Sequence, residues 1–191
     1  MDRLSNIEVY DDVLSEKDFL TLQNVVMKNR GKSAFTWDWS DDVINPEDTL
    51  CDELDHYQLS HTFYFLGPPK SNPNLKPRAY KSPHIGLMRP ILRFPQLNFD
   101  VPIRIKANLN VRTEKIVRHG FHIDNPMNGR TAIFYMNTCN GYTEFEESGQ
   151  KVQSKENRLC VFPTPTRHSG TTCTDWKRRV VININYLPST K

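Results

Sequence analysis

Phe121-His122-Ile123-Asp124-Asn125-Pro126-Met127-Asn128-Gly129-Arg130, running into Thr131-Ala132-Ile133-Phe134-Tyr135-Met136-Asn137, is the stretch on which the reading of this chain turns. In extended backbone, side chains two apart share a face, so His122 and Asp124 set an imidazole beside a carboxylate. Alone, this H-x-D is a weak metal signal, because Asp-Asn-Pro also suits a turn in which Asp124 bonds its own backbone. After Arg130 the residues alternate. Ala132, Phe134 and Met136 make an apolar face, and Thr131, Ile133, Tyr135 and Asn137 make a mixed one, the period-2 mark of a strand with two different neighbours.

The same alternation recurs on both sides. Ile105, Ala107, Leu109 and Val111 share one face of a strand, with Lys106, Asn108 and Asn110 on the other, turned to a barrel mouth or to solvent. Later strands are expected at 142–146, 157–162 and 179–186, and several short strands separated by turn signals predict a sandwich or barrel. Upstream, 7–10 reads as a short strand. Ser15, with Asp18 three positions on, reads as the N-cap of a helix of about three turns that Gly31 stops. A strand is expected over Tyr57–Phe65. The Pro-rich stretch Gly67–Pro83 reads as a long loop, a lid or a surface insertion. Near Ile85–Leu97 a short helix is expected, kinked or started at Pro90.

Composition narrows the class. The chain has 191 residues, 37% hydrophobic and 25% charged, enough for one core and short for two, so a single domain is expected. Within it, residues 1–100 read as helical support and loop, and residues 101–191 as the β core. No apolar run approaches a membrane span, and Met1–Asn6 has neither the basic start nor the apolar core of a leader, which predicts an intracellular, cytoplasmic protein without membrane contact. Cys51, Cys139, Cys160 and Cys173 show no C-x-x-C spacing and read as reduced thiols. Residues 1–60 carry 14 acidic and 5 basic side chains and the remainder 8 and 20, so the two parts hold −9 and +12. The basic part can attract an anionic cosubstrate, although scattered surface charge is the commoner cause.

His168, 46 positions after His122, completes a set of two His and one carboxylate, the facial triad that holds Fe(II) in non-haem oxygenases and leaves three adjacent positions open. An oxygenase that uses 2-oxoglutarate also needs a fixed cation for the remote carboxylate, and Arg supplies a planar, always charged fork. On the last strand Arg178 shares a face with Val180, Ile182 and Ile184, whereas Arg179 shares one with Val181, Asn183 and Asn185. The apolar face should pack against helices, which makes Arg179 the first choice and Arg178 the reserve. By the same parity the Tyr135 hydroxyl can serve the same carboxylate.

The run from His122 to Asn137 resembles the metal-binding segment of prolyl-4-hydroxylase-like Fe(II)/2-oxoglutarate-dependent oxygenases. Gly141-Tyr142-Thr143-Glu144-Phe145 and Asn157-Arg158-Leu159-Cys160-Val161-Phe162 are similar to that family's next two strands. The ending His168-Ser169-Gly170-Thr171-Thr172, with Asp175 and Arg179 to Tyr186, resembles small members encoded by bacteriophages, which would place the protein in a host cytoplasm. The likeness covers about residues 105–187. It implies a mainly β (α+β) fold, a double-stranded β-helix or jelly roll with helices packed on one face. It implies that His122, Asp124 and His168 hold iron, that Arg179 pairs with the remote carboxylate of 2-oxoglutarate, and that Tyr135 assists it. The reaction implied consumes O2, hydroxylates an unactivated C–H bond and releases succinate and carbon dioxide. A prolyl residue of a protein or peptide is the favoured substrate, with nucleic acid or a small molecule as the others. Two departures stand out: Tyr142 where the family often has a second Gly, and Asn157 where it has Gly, a change Asn tolerates.

Other readings compete. A non-catalytic jelly-roll binding module would need no 2-oxoglutarate, and a zinc-dependent hydrolase could use the same three ligands, although nothing obvious supplies its general base. His56, His61, His84 and His119 read as surface or satisfied core residues, and Trp37 and Trp39 as core or rim aromatics.

Overall fold

The computed structural model describes residues 7–31, 34–44, 46–67, 76, 78–125 and 127–190. Its elements, in chain order, are β1 (Glu8–Tyr10), α1 (Glu16–Val26), β2 (Asp38–Ser40), β3 (Gln58–Gly67), β4 (Arg78–Lys81), α2 (Arg89–Leu92), β5 (Phe99–Val111), β6 (Arg130–Tyr135), β7 (Tyr142–Phe145), β8 (Lys151–Gln153), β9 (Arg158–Pro163), β10 (His168–Gly170) and β11 (Arg178–Pro188). An eight-stranded sheet runs β1-β9-β6-β11-β5-β3-β2, with β4 paired to β3, and a three-stranded sheet runs β10-β7-β8. The pairings within both sheets are antiparallel. Two such sheets with helices on the outer face of the larger one make a jelly roll.

Strand parity sorts the core into two layers. Ala132, Phe134 and Met136 of the β6 region and Val180, Ile182, Ile184 and Tyr186 of β11 pack against Phe19, Leu22 and Val26 of α1 and against Met88, Ile91 and Leu97 around α2. The opposite faces contribute Ile133, Tyr135 and Val181 to a second cluster, with Phe145, Val152, Cys160 and Phe162 filling the space between the sheets. A strand buried on both faces is expected at the centre of a sheet covered on both sides. All the β11 residues from Arg179 to Tyr186 are buried.

The N-cap of α1 is Ser15, whose Oγ accepts from Asp18 N at 3.2 Å. The helix stops earlier than Gly31. Asn29 takes a left-handed φ of 51°, and Arg30 N donates to Asn24 O at 2.8 Å, so Asn closes the C-terminus that the sequence assigns to Gly. Asn157 also sits at positive φ, 59°, and its side chain both accepts from Leu14 N and donates to Leu14 O, each at 2.9 Å. The residue that replaces a turn glycine thereby anchors the approach to α1.

Two expectations need correction. The stretch Gly67–Pro83 is not a loop throughout, because Arg78–Lys81 forms β4 against β3; residues 68–75 and 77 lie outside the described set, and with them the question of a lid. Residues 1–100 are more than helical support, since β1 to β4 join the large sheet. The helix expected near Pro90 is four residues long and is flanked by 3-10 turns at Ile85–Met88 and Pro95–Leu97. No described helix is long and apolar enough to cross a membrane.

Candidate metal centre

His122 and His168 belong to different segments and exchange both backbone hydrogen bonds, each N···O at 3.0 Å, in an isolated antiparallel bridge. Their rings therefore face one another with centroids 4.8 Å apart. Asp124, two residues on, turns its carboxylate between them. Its oxygens lie 3.8 Å from His122 Nε2 and 3.6 Å from His168 Nε2. One ligand atom from each of the three residues lies within 4.8 Å of the other two. The Nδ1 atoms face backbone carbonyls, His122 toward Gly120 O at 3.4 Å and His168 toward Thr166 O at 3.0 Å, which leaves both Nε2 atoms to the centre. This is the tautomer control that metal-ligating His requires. Two imidazoles and one carboxylate suit a divalent first-row metal, and the residues present fit Fe(II).

The carboxylate is held from the opposite side by the large sheet. Arg104 Nη2 donates to Asp124 Oδ1 at 2.9 Å, while Asn183 Nδ2 and Asn185 Nδ2 donate to Oδ2 at 2.9 and 3.3 Å. Burial would raise the Asp124 pKa, but the charges of His168, Arg104 and His122 outweigh it and hold the group at about 2. His122 is pushed down to about 4, by desolvation first and by its neighbour His168 second. A neutral imidazole beside an ionised carboxylate is the state a cation needs.

These residues line one side of a cavity of about 540 Å³. The β5–β11 register explains why. It sets Arg104, Lys106, Asn108 and Asn110 beside Asn185, Asn183, Val181 and Arg179, a polar ladder turned between the sheets. Lys106, Asn108 and Asn110 thus line the cavity. Among the described residues, the buried Oδ1 atoms of Asn108 and Asn183 have no hydrogen-bond partner.

Arg179 lies in the same cavity and is 2% exposed. Its Nε donates to Ser154 Oγ at 2.7 Å, Nη2 to Thr143 Oγ1 at 3.0 Å and Nη1 to Thr171 O at 3.4 Å. No carboxylate among the described residues pairs with it, and desolvation lowers its pKa. A buried guanidinium held by neutral groups alone is costly unless an anion completes it. Gly141 makes the space: a Cβ there would meet Arg179 Cδ at 2.6 Å. The adjoining Tyr142 is harmless to the site, since its ring lies under Lys151 Nζ, 4.7 Å from the centroid.

Two expected residues stand elsewhere. Arg178 points to the helix side, where Nη2 donates to Met27 O at 2.6 Å, as the apolar parity of its face requires. Tyr135 is fully buried behind Arg179, not in the cavity; its hydroxyl donates to Thr143 Oγ1 at 2.9 Å and its ring faces the guanidinium at 5.6 Å. Thr143 Oγ1 thus accepts from both the Tyr135 hydroxyl and Arg179 Nη2. Arg104 and Ser154 were missed in the sequence. Arg104 becomes visible only through the pairing Asn185↔Arg104.

No protein-family model and no curated protein matches the sequence. Solved structures do match. The viral collagen prolyl hydroxylase of Paramecium bursaria Chlorella virus-1, solved with 2-oxoglutarate, is 14% identical, with 95% of each chain covered and a TM-score of 0.57. A prolyl hydroxylase from Trichoplax adhaerens, solved with a peptide of hypoxia inducible factor, is 13% identical over 95% of this chain and 83% of that one, with a TM-score of 0.53. The non-haem α-ketoglutarate-dependent epimerase SnoN of nogalamycin biosynthesis is 12% identical over 98% and 80%, with a TM-score of 0.60. The fold is that of the 2-oxoglutarate–Fe(II) oxygenases.

Proposed function

We propose that the protein is an Fe(II)- and 2-oxoglutarate-dependent dioxygenase that hydroxylates an unactivated C–H bond. The reading rests on one observation above all: Arg179, buried without a carboxylate partner, shares a cavity with the His122, Asp124 and His168 cluster. A metal-only binding module or a zinc hydrolase would have no use for that guanidinium. His122, Asp124 and His168 would hold Fe(II), and Arg179 would take the remote carboxylate of 2-oxoglutarate in a charge-assisted pair. Bound together, iron and the keto acid supply O2 activation, with succinate and carbon dioxide as products.

The chain's own groups do the rest. Arg104, Asn183 and Asn185 fix the Asp124 carboxylate so that its orientation survives when a cation replaces the mutual attraction of the triad. Thr143, with Tyr135 behind it, keeps the Arg179 fork pointed into the cavity. Val181 and Ile133 give part of the wall an apolar surface that limits water. A prolyl residue in a peptide is the favoured substrate, supported by the prolyl hydroxylases of the same fold and by a cavity large enough for one side chain.

Anaerobic addition of Fe(II) and 2-oxoglutarate to the metal-free protein tests this. A visible charge-transfer band that needs both additions, vanishes in His168→Ala and weakens in Arg179→Ala is expected. Metal binding with no response to the keto acid would overturn the reading. Succinate release on admission of O2, with and without proline-containing peptides, then addresses the substrate.

A further inference from the structure

Cys51 and His56, five positions apart, meet His119 of the segment that leads to His122, and His119 itself lines the same cavity as the His122 cluster. His56 and His119 are buried, and Cys51 is the partly exposed member. Cys51 Sγ lies 3.7 Å from His56 Nδ1 and 3.7 Å from His119 Nδ1, and the three ligand atoms lie within 4.8 Å of one another. In a tetrahedral zinc site, bond lengths of about 2.3 Å to sulfur and 2.0–2.1 Å to nitrogen put those atoms roughly 3.6 Å apart. The far ring nitrogens are engaged. His56 Nε2 meets Thr49 Oγ1 at 3.0 Å and Ile44 O at 3.2 Å, and His119 Nε2 meets Asn110 Nδ2 at 3.3 Å. Both rings are thus oriented by outer partners with Nδ1 turned to the thiol; His56 Nε2 faces the acceptor Ile44 O as in metal-ligating histidines, whereas His119 Nε2 accepts from the Asn110 amide, which must present its oxygen instead when Nδ1 ligates a metal.

We infer that Cys51, His56 and His119 form a second metal site that takes a zinc-like divalent ion through one thiolate and two imidazoles. Water completes the fourth position. A thiolate ligand favours zinc over the harder cations, and it separates this site from the sulfur-free triad at His122. The packing around it indicates what the metal would do. Leu50 N donates to His119 O at 2.9 Å, and Gly120, at φ 134°, lies so close to the 44–48 segment that a Cβ would meet Asp48 O at 2.1 Å. The 42–48 segment supplies Asp42, Val43, Ile44 and Asp48 to the cavity, and residue 119 leads directly into His122. An ion at Cys51, His56 and His119 would pin this wall to the segment that carries the first ligand. The other cysteine group, Cys139 and Cys173 with Asp175, is a poorer match, because both Asp175 oxygens accept from Asn140 N and the Cys173 thiol donates to Trp176 O.

Cobalt(II) titration of the metal-free full-length chain tests the inference, since a thiolate-to-cobalt charge-transfer band can arise only where a cysteine ligates. One equivalent should produce the band in the parent, in Cys139→Ser and in the Asp124→Ala, His168→Ala double variant. The band should be lost in Cys51→Ser and in His119→Gln. Absence of the band in the parent, or its persistence in Cys51→Ser, would overturn the site. A second readout needs no substitution: zinc should block alkylation of Cys51 in the metal-free parent, and an unchanged alkylation rate counts against the proposal. Neither readout depends on turnover, so the oxygenase reading can fail while this one stands.

Discussion

The two faces of β11 are built from alternate residues of one strand and answer to opposite demands. Val180, Ile182 and Ile184 bury hydrocarbon under α1, each contact adding to stability. Arg179, Asn183 and Asn185 bury polar groups that bond to Thr143 or Asp124 while Asn183 Oδ1 is left without a partner. The first face holds the fold together and the second holds a ligand at some cost to it. Stability and binding should therefore come apart when the faces are altered one at a time.

The largest separation is expected from Ile182→Ala. It should lower unfolding free energy by about 2–5 kcal/mol through lost burial and a cavity, with keto-acid affinity of the folded protein unchanged. Urea denaturation read beside the charge-transfer titration checks both halves. Acid should expose the cost of the polar face in the metal-free protein. His119 and His122 stay neutral in the fold, each with a pKa lowered to about 4 from 6.5, because burial opposes their charge. The unfolded chain takes up these protons first, so stability is complete above about pH 6.5 and falls by a few kcal/mol as pH drops toward 4. Replacing both by Gln should flatten that slope in urea midpoints measured across the window.

Arg179→Met inverts the Ile182 result. It should weaken 2-oxoglutarate binding about ten- to hundredfold, the worth of charge-assisted hydrogen bonds, while stability moves by no more than about 1 kcal/mol. A large loss of stability with affinity retained would dissolve the distinction between the faces. The smallest effect is expected from Asn157→Gly, which keeps the left-handed turn and drops the two bonds to Leu14. A loss of about 1 kcal/mol in denaturant, with the cavity untouched, would place it on the helix side of the comparison.

Parity made much of this visible in the sequence. The alternation in 130–137 and 178–186 separates the helix side from the inter-sheet side, and it selects Arg179 over Arg178 because period-2 geometry is local. What depended on pairing between distant strands stayed hidden. Arg104 is an ordinary basic residue until register sets it beside Asn185, and β4 is a Pro-rich run until β3 offers it an edge. Tyr135 lies on the expected face, against Thr143 and the Arg179 guanidinium, and parity cannot measure that depth. Cys51 and His119 are 68 positions apart, and no motif spacing links them. The helix end at Asn29 shows a local rule met by a second-choice residue, since Asn adopts the left-handed turn almost as Gly does.

The order of the large sheet interleaves early and late chain: β1 pairs with β9, and β11 inserts between β5 and β6. Of these strands a ribosome releases β11 last. Until Arg178–Pro188 emerges, β5 with its neighbours β3 and β4 and β6 with its neighbour β9 are half-sheets with open inner edges, and such non-local pairings are slow to form. Until then the nascent chain has no completed cavity, and the carboxylate of Asp124 lacks its asparagine donors. The growing chain waits on β11 for both its shape and its chemistry.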